Sequence, residues 1–217
     1  MTTVYFIRHC EAEGNILRIA QGHTDAPVTE KGRAQIAVLR QRFADVPIDA
    51  VYSSDLIRAR TTAEAIYVPK GLPLHTDPAF REINLGPWEG VRWEELTARD
   101  PVMMDAFNHH VEDFHVAGAE TAQDVIDRFY PALMAAVKAN EGKTVAIFSH
   151  GCALRMMLAT LKGLSLAHIG KEGHSDNTAV SRVEFDGETV RVVYQDDNSH
   201  LLEAGLSTLA TQDWWKE

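Results

Sequence analysis

The chain of 217 residues is 45% hydrophobic, carries a formal net charge of −10 and contains only two cysteines. Its size suits one sizeable domain, spanning the whole of 1–217, while so few cysteines exclude a disulfide-built scaffold. The acidic balance argues against nucleic-acid or anionic-membrane partners, but pocket arginines can still attract a phosphate, because salt screens distant charges over ~8 Å. No apolar run nears the ~20 residues of a membrane span. The opening MTTVYFIRHCEAEGN lacks the basic start and long apolar stretch of a signal peptide, so a cytoplasmic protein is expected.

Strand and helix signals alternate along the chain. Thr3–Ile7 (TVYFI) is β-branched and aromatic, which predicts a buried strand. Thr29 can cap a helix in which Ile36, Leu39 and Phe43 share a face. Asp49–Ser53 (DAVYS) predicts a second strand, followed at once by a helix with Leu56, Ala59, Ala63 and Ile66 on one side. Residues 74–77 fit a short strand, and 80–118 are aromatic and histidine-bearing without a clear period. Order returns at Thr121, where T-A-Q-D has the form of a capping box for a helix carrying Ile126, Phe129, Leu133 and Val137. Thr144–Phe148 (TVAIF) predicts a strand that runs into a helix with Leu154, Met157, Leu158 and Leu161. Two antiparallel strands, about 179–185 and 189–195, are expected to meet at the hairpin dipeptide Asp186-Gly187.

This alternation implies a mostly parallel sheet with helices on both faces, and such sheets bind ligands beyond the carboxyl ends of their strands. Three places are thereby selected: Arg8-His9, Ser53 to Arg58, and Ser149-His150-Gly151. All carry groups suited to an anion. Arg8 and Arg58 offer planar forks that match phosphate oxygens. Arg58 falls in the first turn of its helix and His150 just before another, where free N–H groups and the helix dipole favour negative charge. A neutral imidazole such as that of His9 can take up a phosphoryl group near pH 7.

At these residues the sequence resembles the histidine phosphatase superfamily, also called phosphoglycerate mutase-like. Arg8-His9 resembles its Arg-His-Gly signature, with Cys10 in place of the glycine. Asn15, Gln21-Gly22, D-A-P-V-T-E-K-G-R-A-Q (25–35), S-S-D-L-I-R-A-R-T-T-A-E (53–64), R-E-I-N-L-G-P-W-E-G (81–90) and S-H-G (149–151) follow in the family's order. The resemblance covers most of 3–160 and is weakest over 91–117. It implies a three-layer α/β/α sandwich with a mostly parallel central sheet and a small cap-like insertion at about 91–117. It also implies roles. His9 would be the nucleophile, forming a transient phosphohistidine; Arg8, Arg58, His150, Gly151 and Asn15 would hold the phosphoryl oxygens. Glu82 would protonate the leaving oxygen and then help deprotonate water, although Glu89 is a nearby competitor. No metal or cofactor is implied, because the arginines and an imidazolium replace the usual cation.

The family divides between phosphatases, which pass the phosphoryl group to water, and mutases, which return it to an organic acceptor. The D-A-P-V-T-E-K-G segment and the short chain favour a phosphomonoesterase acting on a small phosphorylated metabolite. A cofactor-dependent phosphoglycerate mutase is the alternative, and a catalytically inactive phospholigand-binding module is a third reading. A homodimer is left open. Gln21, Gly22, His109, His110 and His115 are further pocket candidates, the histidines through the cap. The same stretch could be read as a metal site formed by His110, Glu112 and His115, but the spacing fits no standard pattern. Trp88, Trp93 and Trp214-Trp215 read as packing or interface residues. No nucleotide-binding glycine motif occurs. Cysteine phosphatases use C-x-x-x-x-x-R, whereas Ile16 and Leu158 stand where Cys10 and Cys152 would need the arginine. Because Cys10 follows His9 and Cys152 follows His150 closely, both thiols are expected to flank one pocket, as two small buried side chains in a reducing cytoplasm or, alternatively, as a redox pair or one oxidisable thiol.

Overall fold

The computed structural model describes residues 1–169 and 173–209. In chain order its elements are β1 (Thr2–Arg8), α1 (Glu13–Ile16), α2 (Glu30–Arg42), β2 (Ala50–Ser53), α3 (Ile57–Lys70), β3 (Leu74–Thr76), α4 (Trp93–Arg99) and α5 (Pro101–His109). Then come α6 (Ala122–Ala139), β4 (Thr144–Ser149), α7 (Gly151–Leu161), α8 (Leu166–Ile169), β5 (Val180–Asp186), β6 (Thr189–Asp197) and α9 (Ser199–Glu203).

The six strands form one sheet in the order β3-β2-β4-β1-β5-β6. Pairing is parallel from β3 through β1, and β5 alone runs against its neighbours. Alternation along each strand sends side chains to opposite faces, which is why the central strands are apolar throughout. Val4, Phe6, Val145 and Ile147 pack with Phe129 and Leu133 of α6 and Leu154 of α7. Ile7, Val51, Ala146 and Phe148 pack on the other face with Ile36 and Leu39 of α2 and Ala63 and Ile66 of α3. Helices cover both faces of the sheet, making the expected three layers.

The helix starts follow their caps. The Thr29 hydroxyl accepts from Gly32 N at 2.9 Å, and Thr121 with Asp124 closes the capping box at α6. One boundary is corrected: the β5–β6 turn is Gly187-Glu188, since Asp186 still pairs with Thr189. Gly187 has φ +60° at the first turn position, a conformation that glycine reaches without a Cβ clash. Trp88 is buried against Phe107 and Phe114, whereas Trp214-Trp215 lies outside the described residues.

The register positions the site. β4 lies between β2 and β1, pairing Ser53 with Phe148 on one side and Arg8 with Ser149 on the other. The three selected strand ends therefore emerge side by side. His9 N donates to the Ser149 carbonyl and Ser54 N to that of Phe148, both at 2.9 Å. α4 and α5 then fold over this edge of the sheet.

Candidate active site

A cavity of about 920 Å³ opens at these strand ends. His9 lies in it, almost fully buried, with its ring centroid 5.2 Å from that of His150. The Cys10 carbonyl lies 2.6 Å from His9 Nδ1. A carbonyl only accepts, so Nδ1 carries the proton and Nε2 keeps its lone pair. Burial, then the charges of Arg58 and Arg8, push the His9 pKa well below its usual value, leaving a neutral imidazole at pH 7. The same applies to His150, through burial and then Arg58.

His150 caps α7, and its Nε2 shares a 2.9 Å hydrogen bond with Ser54 Oγ. Its Nδ1 is buried with no protein partner, so it can face a ligand oxygen. Ser54 thus orients the ring through β2's end. Ser54→Ala is expected to lower kcat/KM by about 10-fold, on the order of one lost hydrogen bond, while shifting Tm by only a few degrees. Unchanged kinetics would remove Ser54 from the site.

Arg58 is fully buried in the first turn of α3. Its Nη1 donates to the Thr24 carbonyl at 2.9 Å and Nη2 to that of Gly22 at 2.8 Å, while Asp25 stands 3.9 Å away. Asp25 also accepts from Ile57 N, joining the 22–25 loop to the start of α3. Arg8 donates through Nη1 to the Ser175 carbonyl. The Nε atoms of Arg8 and Arg58 are buried without a protein partner. A Cβ on Gly151 would come within 3.4 Å of Arg8 Nε, so the start of α7 lies directly against that guanidinium.

Glu82 lies across the same helix start. Its carboxylate accepts from Cys152 N at 3.0 Å, Ala153 N at 2.8 Å and its own neighbour Ile83 N at 3.0 Å. Arg128 of α6 holds the loop that presents it, donating to the carbonyls of Ala79, Arg81 and Glu82 and pairing with Glu120. Glu89 is occupied elsewhere. It accepts from the amides of His23 and Thr24 at 2.8 and 2.7 Å and pins that loop. Burial alone would raise its pKa, but the Thr24 hydroxyl and the amides of His23, Thr24 and Leu85 outweigh it and lower the value. This separates the two carboxylates that the sequence left in competition.

Asn15 lines the cavity, with Oδ1 accepting from Ala12 N at 2.9 Å and Nδ2 left to face a ligand. Gln21 lines it too, packed over Gly14, where a Cβ would stand 2.0 Å from Gln21 Nε2. His109 reaches the cavity rim from α5. Two expectations need correction. Gly22 is structural: its carbonyl serves Arg58, and a Cβ there would meet Glu89 at 2.4 Å. His110 and His115 are exposed outside the cavity lining, because Val111 and Phe114 between them turn into the core. Among the described residues no three His, Cys, Asp or Glu side chains converge as metal ligands, and this includes His110, Glu112 and His115.

The expectation that both thiols flank one pocket is also corrected. Cys10 is buried among Ile7, Ile36 and Phe148 under α2 and α3, whereas Cys152 lines the cavity on the α7 side. Successive residues at a strand end point to opposite faces, and that separates Cys10 from the site. Burial pushes Cys10 up to about 11 and Cys152 up to about 12, so neither is a ready thiolate.

A sequence profile of the histidine phosphatase superfamily (branch 1) matches residues 4–198. The chain belongs to this superfamily. It is 34% identical over 184 residues to the "Probable phosphoglycerate mutase GpmB" of Erwinia tasmaniensis, covering 85% of each chain. The solved structure of YhfR from Bacillus stearothermophilus superposes with a TM-score of 0.89 at 35% identity, over 93% of this chain and 100% of that one. A mycobacterial glucosyl-3-phosphoglycerate phosphatase gives a TM-score of 0.84 at 25% identity, over 90% of this chain and 99% of that one.

Several residues of this superfamily site are not evident from pattern alone. Ser54 sits inside the quoted S-S-D segment without an assigned role, and Arg128 is one polar residue on an amphipathic helix. Asn177 comes from a distant loop to donate from Nδ2 to the His9 carbonyl at 3.0 Å.

Proposed function

We propose that this protein is a phosphomonoesterase for a small phosphorylated metabolite, working through a phosphohistidine at His9. The observation that carries the reading is the neutral, proton-fixed His9 imidazole set among Arg8, Arg58 and His150, whose unpartnered nitrogens are suited to phosphoryl oxygens. His9 Nε2 attacks phosphorus as the bond to the ester oxygen breaks. Arg8, Arg58, His150 Nδ1 and Asn15 Nδ2 hold the oxygens on which charge gathers. Glu82 gives a proton to the leaving alkoxide, then takes one from the water that attacks phosphohistidine, releasing phosphate and restoring His9.

Chain length does not separate hydrolase from mutase, because a relative named as a mutase is matched over 85% of its own length. Hydrolysis is favoured by the cavity: 920 Å³ is far more than a three-carbon phosphate fills, leaving room for water beside His9. The reading extends to a cytoplasmic location, in keeping with two free thiols. The test compares phosphate release from a panel of monoesters with interconversion of 3- and 2-phosphoglycerate. Hydrolysis should exceed interconversion; the reverse would make the mutase reading the right one.

A further inference from the structure

α7 presents another cation to the cavity. Arg155 interrupts the apolar run A-L-R-M-M-L (153–158), whose other members are all buried in the core. It is only 6% exposed and lines the same cavity as His9. Its Nε is buried without a partner, and among the described residues Arg155 forms no ion pair or hydrogen bond. A buried Nε without a partner has a cost that apolar packing does not offset, so packing gives no reason for the arginine. Leu154, Met156 and Met157 show what this helix otherwise requires.

Its placement separates it from the phosphoryl clamp. Arg155 lies one helical turn beyond Gly151, a rise of about 6 Å, and Gly151 abuts Arg8. Arg58 and Arg8 are among the charges that weigh most on His9 and His150, while Arg155 acts on Cys152 and His174. Ile83, Leu85, Trp93, Met104 and Phe107 give the same cavity an apolar part of its lining. The cavity therefore offers a bound metabolite the Arg8 and His9 cluster, Arg155 and apolar surface.

We propose that Arg155 is a specificity-determining residue that binds a second anionic group of the substrate, a carboxylate or a second phosphate, from the α7 wall of the cavity that also holds His9. This rests on the phosphatase reading of the site. Recognition is by charge-assisted hydrogen bonds from the guanidinium fork, which reads planar or tetrahedral oxyanions and rejects an alcohol in their place.

The test follows kcat/KM for sn-glycerol 3-phosphate, 3-phosphoglycerate and propane-1,3-diol bisphosphate with the wild-type chain, R155M and R155K. The first ester lacks the second anion, the second offers a carboxylate and the third a phosphate. Wild type should prefer one of the doubly anionic esters by about 10- to 100-fold, and that one names the anion. R155M should abolish the preference while changing glycerol 3-phosphate turnover less than about 3-fold, and R155K should keep part of it. R155M should also leave Tm unchanged or raised, because it removes a buried unpaired charge. No wild-type preference, an equal loss on all three esters, or a marked fall in Tm overturns the proposal. Calorimetric binding of the same esters to H9A, with and without R155M, reads Arg155 without turnover. An anion preference there that R155M removes, alongside an inactive wild type, would defeat the phosphatase reading alone.

Discussion

Replacing His9 by alanine is expected to lower phosphate release by at least about 10⁴-fold, because a covalent nucleophile has no substitute among its neighbours. Arg8 and Arg58 are cations, His150 Nε2 is engaged by Ser54, and Cys152 is held as a thiol. The protein should stay folded. The ring contributes one hydrogen bond to the Cys10 carbonyl, and its loss costs about 1 kcal/mol against a typical stability of about 5–15 kcal/mol. Circular dichroism checks the fold, and acid-labile phosphate incorporation checks the intermediate, which should vanish in H9A. Residual activity above about one hundredth of wild type, or labelling that persists, would assign the nucleophile to another residue.

The second large effect is acid instability. His9 and His150 are held neutral in the fold, by burial and then by Arg58. His200 is lowered to about 4 by burial and by Arg42, which donates into its Nδ1 at 3.0 Å. In the unfolded chain these rings bind a proton near pH 6.5, so below that pH the unfolded state holds more protons than the native one. Stability is therefore full above about pH 6.5 and falls as the pH drops, by about 1.4 kcal/mol per pH unit for each ring. By pH 5 both buried rings, His9 and His150, weaken the fold in this direction.

The carboxylates act in a separate, lower window. Asp55, lowered chiefly by Arg81, and Asp124, lowered by Thr121, lend stability above about pH 4 that disappears as the pH falls through their folded values. Urea unfolding at pH 5, 6, 7 and 8 measures the histidine window. H9A should show a slope shallower by about one proton between pH 5 and 6. An unfolding free energy that is flat from pH 5 to 8 would contradict the neutral-histidine assignment.

The elements that were legible in sequence are those written in local chemistry. TVYFI and TVAIF are strands because β-branched and aromatic side chains fit a pleated surface, and their unbroken apolar character requires cover on both faces. Thr29 and Thr121 announce helices because their hydroxyls satisfy amides only three residues away. Arg8, His9, Arg58 and His150 were visible because chemistry beyond parallel strand ends follows from the fold class itself. His110 and His115 misled because a histidine-rich stretch without a period carries no information on direction. Val111 and Phe114 decided it by turning into the core.

IRHCEAEGN, residues 7–15, shows the division most clearly. By itself the sequence determined that an arginine and an imidazole would stand beyond a buried strand, and C-x-x-x-x-x-R spacing excluded the adjacent thiol as a nucleophile. Only the tertiary structure decided that Cys10 faces the α2–α3 layer, that Glu82 rather than Glu89 lies on the start of α7, and that Arg155 lines the cavity with its Nε unpartnered among the described residues. Short-range hydrogen bonds and side-chain period are encoded within a few residues. The direction of a buried side chain and its partner are set by β4 entering between β1 and β2, by contacts between segments about a hundred residues apart.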